Sequence, residues 1–216
     1  MHLLALSVLL GVNMDHAFTK TRPGYIEVIC GCMYSGKTEE LIRQIRRCEF
    51  ARQTFRTFKP KIDARYSDQD IVSHNQDAIG SIVIEQALDI YRHIDHTTKV
   101  IGIDEAQFFD DEIVDVATKL AQHGRRVIVA GLDTDWRGKP FGPMPQLLAV
   151  ADVIRKQYAI CVQCGESATR TQRLVPDQKE VLVGSFKMYE ARCREHFDPE
   201  LSLRLGPDQR LELLQE

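Results

Sequence analysis

Gly31-Cys32-Met33-Tyr34-Ser35-Gly36-Lys37-Thr38 fits the pattern G-x-x-x-x-G-K-[ST] without deviation. Its surroundings narrow what the chain can fold into. Tyr25 to Cys30 before it reads as a buried strand, and Thr38 to about Arg52 after it carries Leu41, Ile42 and Ile45 at helical spacing. The glycines allow successive backbone N–H groups to turn inward around an anion. A helix that starts at the anion adds its positive dipole end. Lys37 can then reach the β- and γ-phosphates, and the Thr38 hydroxyl can hold Mg²⁺. A chance match is the bland alternative, but the motif lies between a strand and a helix, as the mechanism requires. The run predicts a nucleoside triphosphate site.

The chain downstream repeats the same alternation. Thr54 to Lys59 is a second expected strand, stopped by Pro60, and polar Asp63 to Gln76 is expected to be a mobile loop. Ser81 to Glu85 is short and β-branched, and Ala87 to Ile94 has helical character. Lys99 to Asp104 is a near-continuous apolar run, as in a strand covered on both faces. A helix fits Asp111 to His123, closed by Gly124, and Val127 to Gly131 is another strand. This order implies βαβ units and an open, parallel α/β sheet flanked by helices. After about Lys156 the character changes to short strand-like pieces, such as Val181-Leu182-Val183, among cysteines. The expected organisation is an extension over 1–24, a P-loop α/β domain over 25–156, a small domain over 157–200 and a tail over 201–216.

The chain has 216 residues, 44% of them hydrophobic, with a formal net charge of −3. That length supports one medium domain with a real core and no need of disulfides. The charge offers no general footprint for nucleic acid, so an anionic ligand needs a local site. Leu3 to Leu10 is apolar but has no preceding Lys or Arg. A loose, poorly ordered extension, upstream of a start at Met14, therefore stands ahead of a signal peptide. No later stretch approaches the ~20 apolar residues of a membrane helix. A soluble, cytoplasmic protein is expected.

A second acidic element, Asp104-Glu105-Ala106-Gln107, closes the apolar strand. In P-loop proteins an aspartate at such a strand end holds Mg²⁺ beside the P-loop hydroxyl. Glu105 then lies near the γ-phosphate, where a general base is useful, and Gln107 is placed on the nucleotide side. With water as acceptor this is an ATPase; with a bound alcohol it is a kinase. The residues alone leave both open.

Cys30, Cys32, Cys48, Cys161, Cys164 and Cys193 are not spread like a disulfide framework. Cys161-x-x-Cys164 and Cys193-x-x-His196 form two pairs, each able to wrap one side of a tetrahedral ion. Three thiolates and an imidazole suit structural zinc, with a redox pair as the rival. Four protein ligands would leave no open position for catalysis.

Together these features resemble the type II thymidine kinases, over about Ile26 to Phe197. The signposts are Gly31 to Thr38, Phe58-Lys-Pro-Lys-Ile-Asp-Ala-Arg-Tyr66, Ile103-Asp-Glu-Ala-Gln-Phe108, Gly131-Leu-Asp133, Lys139-Pro-Phe-Gly142 and the two half-sites for zinc. The resemblance implies a RecA-like α/β domain with a zinc-tethered lasso that closes over the nucleoside. It implies ATP with Mg²⁺ as co-substrate and Glu105 as general base for the 5′-hydroxyl of thymidine, with Asp104 on the Mg²⁺ side. Asp63 and Arg65 match positions near the phosphates. Trp136, Phe141, Thr171 and Tyr189 match positions around the nucleoside, and Leu182, Val183 and Gly184 match the lasso segment that embraces the base. A homotetramer inhibited by thymidine triphosphate is implied as well.

The chain departs from the family pattern in places. Cys32 stands where the family usually has Pro, with retained binding and an oxidisable loop as the expected consequence. Trp136 replaces a usual Phe, and Gly184-Ser185 a usual Gly-Gly. Two other functions remain as rivals. One is a P-loop ATPase acting on nucleic acid, which needs a basic groove or a second motor domain; the other is a zinc-ribbon binding module fused to a nucleotide switch.

Overall fold

The computed structural model describes residues 24–61, 70–72, 78–175 and 188–204. Its centre is a six-stranded sheet made of β1 (Tyr25–Cys30), β2 (Phe55–Pro60), β5 (Ile82–Ile84), β6 (Val100–Ile103), β7 (Arg126–Gly131) and β8 (Val153–Lys156). The spatial order is β5-β2-β6-β7-β1-β8, and every neighbouring pair is parallel. Strands of such a sheet are covered on both faces, and alternate residues divide between two cores. Val28 and Cys30 of β1 join one apolar cluster and Ile29 joins the other.

Helix α1 (Lys37–Phe50) covers one face with Leu41, Ile42, Ile45 and Cys48. It packs tightly on Gly102 in β6, where an added Cβ would lie 3.1 Å from Ile45 Cδ1 and 3.0 Å from Thr57 Cγ2. Truncation of Ile45 to Ala would open a void there, at a cost of about 2–5 kcal/mol. The opposite face is covered by α2 (Glu112–Gln122) and α3 (Met144–Val150), with Ile113, Val116, Leu120, Met144 and Leu147 buried. Both long helices lie within one or two residues of the expected bounds. The segment Ala87–Arg92 forms a 3-10 helix, started by a capping box between Gln86 and Asp89.

Three regions differ from the sequence reading. Asp70–Val72 (β3), within the stretch expected to be loop, pairs antiparallel with Ala78–Gly80 (β4). Helix α3 has only seven residues behind Pro143, too few to display a period. Strand β8 is an edge strand whose Ile154, Arg155 and Lys156 are exposed, so it lacks the apolar signature of its neighbours. After β8 come two small antiparallel ribbons, β9 (Ala159–Ile160) with β10 (Ser167–Ala168) and β11 (Arg170–Arg173) with β12 (Tyr189–Arg192). A helical turn, α4 (Leu201–Arg204), occupies the start of the expected tail.

Candidate active site and metal-binding cluster

Strands β1, β6 and β7 end side by side, so Gly31, Asp104 and Leu132 emerge at one edge of the sheet. Ligands of open α/β folds bind outside this carboxyl edge. Gly31 has φ 149°, and a Cβ there would sit 2.4 Å from the Gln157 carbonyl oxygen, so the turn requires glycine. The loop then folds on itself, with Ser35 Oγ and Lys37 Nζ both donating to the Cys32 carbonyl at 2.8 Å. Gly36, at φ 81°, starts α1 without a side-chain cap. The first N–H groups of that helix are thereby left for an anion. Tyr34 adopts a left-handed φ of 65°, a strained choice for a side-chain-bearing residue that clusters at ligand sites.

Across the cleft, Thr38 Oγ1 donates to Asp104 Oδ2 at 3.3 Å. The hydroxyl and carboxylate that the sequence placed around a cation are therefore together. Glu105 also has left-handed backbone, φ 51°, held by its N–H donating to Asp104 Oδ1 at 3.0 Å. Gln107 is buried and works from behind. Its amide nitrogen donates to Glu105 Oε2, and its oxygen accepts from the Leu132 N–H at 2.9 Å. The described bonds of Gln107 thus orient Glu105 and tie the β6 end to the β7 end. Lys37, Thr38, Glu105, Phe108, Leu132 and Tyr189 line one cleft. Phe141 packs edge-on against Phe108, with ring centroids 5.5 Å apart.

The segment after β8 packs against the loop over 31–38. Met33 N–H donates to Thr171 Oγ1 at 3.0 Å, Tyr34 Oη to the Tyr189 carbonyl at 3.0 Å, and Cys32 Sγ to the Ala168 carbonyl at 3.5 Å. Thr171, expected beside the nucleoside, is therefore hydrogen-bonded to the phosphate loop. Cys32 is fully buried with Ala159, Cys161, Ala168 and Ala191, and burial raises its thiol pKa despite the nearby Lys37. The expected oxidisable loop is corrected: a buried, protonated thiol is a poor target for oxidants.

Cys161, Cys164, Cys193 and His196 converge, their ligand atoms all within 4.8 Å of one another. Cys164 and Cys193 sulfurs are 3.8 Å apart, Cys161 Sγ is 3.8 Å from His196 Nδ1, and Cys193 Sγ is 3.1 Å from that nitrogen. The sulfurs are too far apart for a disulfide, and all six cysteines are free. The Cys161 turn is closed by Gly165 N–H donating to the Cys161 carbonyl and Cys161 N–H to the Glu166 carbonyl, both at 2.8 Å. Desolvation pushes the Cys161 thiol up, but N–H groups of Cys193, Gln163 and Cys164 outweigh it and bring it down to about 6. Cys164 is shifted the other way: the Glu166 N–H lowers it, but desolvation and the Cys161 and Cys193 sulfurs outweigh that. One sulfur poised as thiolate among further donors is a set able to hold a metal ion.

Trp136 and Tyr189 are both buried, and the Arg173 guanidinium lies near both rings. Arg173 carried no signal in the sequence, since a single arginine in a short polar strand reads as a solvated side chain. The buried Glu27, clasped by Arg126 and Arg155, was likewise absorbed into an apolar-looking strand. Asp63, Arg65, Leu182, Val183 and Gly184, together with the 1–23 extension and the tail beyond 204, lie outside the described residues.

Comparisons with known proteins agree with this geometry. The family model described as thymidine kinase matches residues 24–197. A thymidine kinase of Bdellovibrio bacteriovorus is 52% identical over 187 residues, covering 87% of this chain and 91% of that protein. A thymidine kinase of Bacteroides thetaiotaomicron is 53% identical over 181 residues, covering 84% of this chain and 90% of that protein. The match runs from the first residue of the sheet through both halves of the cysteine and histidine cluster, so phosphate loop, acidic element and cluster fall within one family unit: the chain belongs to the thymidine kinase family.

Proposed function

We propose that this chain transfers the γ-phosphate of ATP to the 5′-hydroxyl of thymidine, giving thymidine monophosphate for DNA synthesis. One observation carries the reading: Glu105, in a strained backbone conformation and oriented by Gln107, shares a cleft with Lys37 and Thr38. Strain of ~1–3 kcal/mol persists only where the surroundings enforce it, and here the Asp104 and Gln107 bonds to Glu105 do so. Glu105 accepts the proton as the alcohol attacks, and Lys37 with the loop N–H groups stabilises charge on the transferred phosphoryl. Thr38 and Asp104 are the pair suited to Mg²⁺, which when bound neutralises phosphate charge. Asp63 and Arg65 add to the phosphate side. Trp136, Phe141, Tyr189 and the backbone of Leu182, Val183 and Gly184 read the nucleoside.

Zinc is the ion that best fits the four-ligand cluster. A tetrahedron with Zn–S bonds of ~2.3 Å has S···S edges of ~3.8 Å; the Cys164–Cys193 separation equals that, and the S···N separations of 3.1 and 3.8 Å bracket the ~3.6 Å of a mixed edge. Four protein ligands make the site structural. Cysteines kept free suit a reducing compartment, and we place the protein in the cytoplasm. No helix among the described residues is long and apolar enough to cross a membrane. A homotetramer under feedback inhibition by thymidine triphosphate completes the reading.

A phosphate-transfer screen across nucleosides tests it, with radiolabelled ATP and kcat/KM as the readout. Thymidine is expected to lead and deoxyuridine to follow, since one methyl in an apolar pocket is worth only ~1–3 kcal/mol. Deoxycytidine inverts a donor and an acceptor on the edge being read, and is expected to be rejected by ~10⁴-fold or more. Equal use of deoxycytidine and thymidine would overturn the proposal.

A further inference from the structure

Arg173 is the largest fully buried side chain among the described residues, at 0% exposure. Its guanidinium lies 4.3 Å from the Trp136 ring centroid and 5.4 Å from that of Tyr189, and its Nη2 donates to Tyr189 Oη at 2.9 Å. The three residues come from two parts of the fold. Arg173 and Tyr189 are register partners across the β11–β12 ribbon. Trp136 belongs to the turn after β7, which Asp135 ties by accepting from the Arg137 and Lys139 N–H groups at 2.8 and 2.9 Å.

A desolvated guanidinium is a costly way to fill space, and an apolar side chain of similar volume would pack more favourably. A planar cation close to two aromatic rings, and hydrogen-bonded to one of them, does something an apolar residue cannot. It holds both rings by directional attraction and sets their separation. Tyr189 is in turn fastened to the phosphate loop through its carbonyl, which accepts from Tyr34 Oη at 3.0 Å. Arg173, Tyr189 and Tyr34 therefore form a continuous link from the Trp136 turn to the phosphate-binding loop.

We propose that Arg173 is a positioning residue for nucleoside recognition, clamping Trp136 and Tyr189 at the spacing that admits the substrate. The inference rests on the reading of Trp136 and Tyr189 as nucleoside neighbours. Arg173 itself touches no reacting atom; it acts through the two rings.

Trp136 is the only tryptophan in the chain, so its emission reports this clamp without any substrate. The experiment compares full-length wild type with Arg173→Met and Arg173→Lys, each checked for metal content and melting temperature. In ligand-free Arg173→Met the emission is expected to shift to the red and acrylamide quenching to rise, because the cation over the indole is gone. Its KM for thymidine is expected to rise on the order of 10- to 100-fold, with KM for ATP and kcat changing less than about 2-fold. Arg173→Lys keeps the charge without the planar fork, and should recover part of the thymidine effect. Tyr189→Phe keeps the ring and removes the acceptor, giving a smaller shift in the same direction if Arg173→Met folds poorly.

Unchanged Trp136 emission in the Met and Lys variants overturns the clamp. A changed emission with wild-type KM for thymidine overturns the positioning role. A parallel loss in thymidine and ATP parameters, tracking a lower melting temperature, shows packing alone and also overturns it. The reading beneath is tested separately by Trp136→Ala: a normal KM for thymidine there removes Trp136 from the nucleoside site whatever Arg173 does.

Discussion

The α/β body and the segment after β8 solve the problem of staying folded in different ways. The body divides its apolar residues between two cores, one on each face of the sheet, with Ile, Val, Leu and Phe buried throughout. Among the described residues, the later segment buries fewer and smaller apolar groups, Ala159, Cys161, Ala168 and Ala191 with Leu174, Val175 and Tyr189, and four potential metal ligands converge beside the alanines. An apolar cluster of alanines offsets little of the entropy of ordering its chain, and a metal ion is a usual addition in such a segment. The lesson lies in where the two meet. The weakly packed segment bonds to the loop over 31–38, through Thr171, Tyr189 and Ala168. Loss of order in the smaller part should reach the nucleotide held by the larger.

The sharpest cut falls within the body. Glu105→Gln removes the proton acceptor and leaves the fold, so turnover is expected to fall by ~10²- to 10⁴-fold with ATP and thymidine binding retained. Pre-steady-state phosphate transfer measures it directly. Near-normal turnover would show that chemistry does not run through Glu105.

Metal removal is the next largest effect and tests whether the two parts are coupled. A chelator, or Cys161→Ser, is expected to disorder the later segment and raise the KM for thymidine while α-helical circular dichroism persists. ATP affinity should drop as well, by roughly 10- to 100-fold, since the Thr171 and Tyr189 hydrogen bonds, ~0.5–1.5 kcal/mol each, leave the loop along with the weaker Cys32 one. Alkylation mapped by mass spectrometry adds a second readout. Cys161, Cys164 and Cys193 should become reactive while Cys30 stays protected, its thiol pushed up to about 11 by burial and by the nearby Asp133. Unchanged ATP affinity in the metal-free protein would break the comparison.

Thr171→Val narrows the same coupling to one bond. The metal set is untouched, but the Met33 N–H loses its acceptor. ATP KM is expected to rise roughly 2- to 10-fold, as one net hydrogen bond allows. Titration calorimetry with ATP alone would reveal a null effect.

The smallest effect concerns the body's own exception to apolar burial. Glu27 is buried in β1, and its carboxylate accepts from Arg126 Nη2 at 2.7 Å and from Arg155 Nε. Desolvation raises its pKa, yet the two guanidinium groups win and hold it below the usual 4.5. A carboxyl depressed in the folded state stabilises above its unfolded pKa and loses that contribution as pH falls through the folded value. Glu27→Gln is expected to cost about 2 kcal/mol at neutral pH, less than a fully buried pair because Arg155 is 43% exposed. The gap between mutant and wild type in denaturant midpoint should close as pH drops below about 4.5. A gap independent of pH would mean that the amide fails for packing reasons.

What the sequence alone determined is local. Gly31 to Thr38, Asp104 to Gln107 and the two Cys/His half-sites act through spacings of a few residues, which backbone geometry turns directly into loops and ligand pairs. The strands β1, β6 and β7 were legible because burial on both faces imposes largely apolar runs, and β2 because Pro60 marks its end. Tertiary structure decided everything that joins residues far apart in the chain. Met33 meets Thr171 across 138 positions, Tyr34 meets Tyr189 across 155, and Glu27 meets Arg155 across 128. A polar or charged side chain in a strand has the same local signature whether it faces water or a distant partner. Arg173 beside two aromatic rings and Gln107 bonded to Glu105 therefore became visible only once the folded chain had chosen their neighbours.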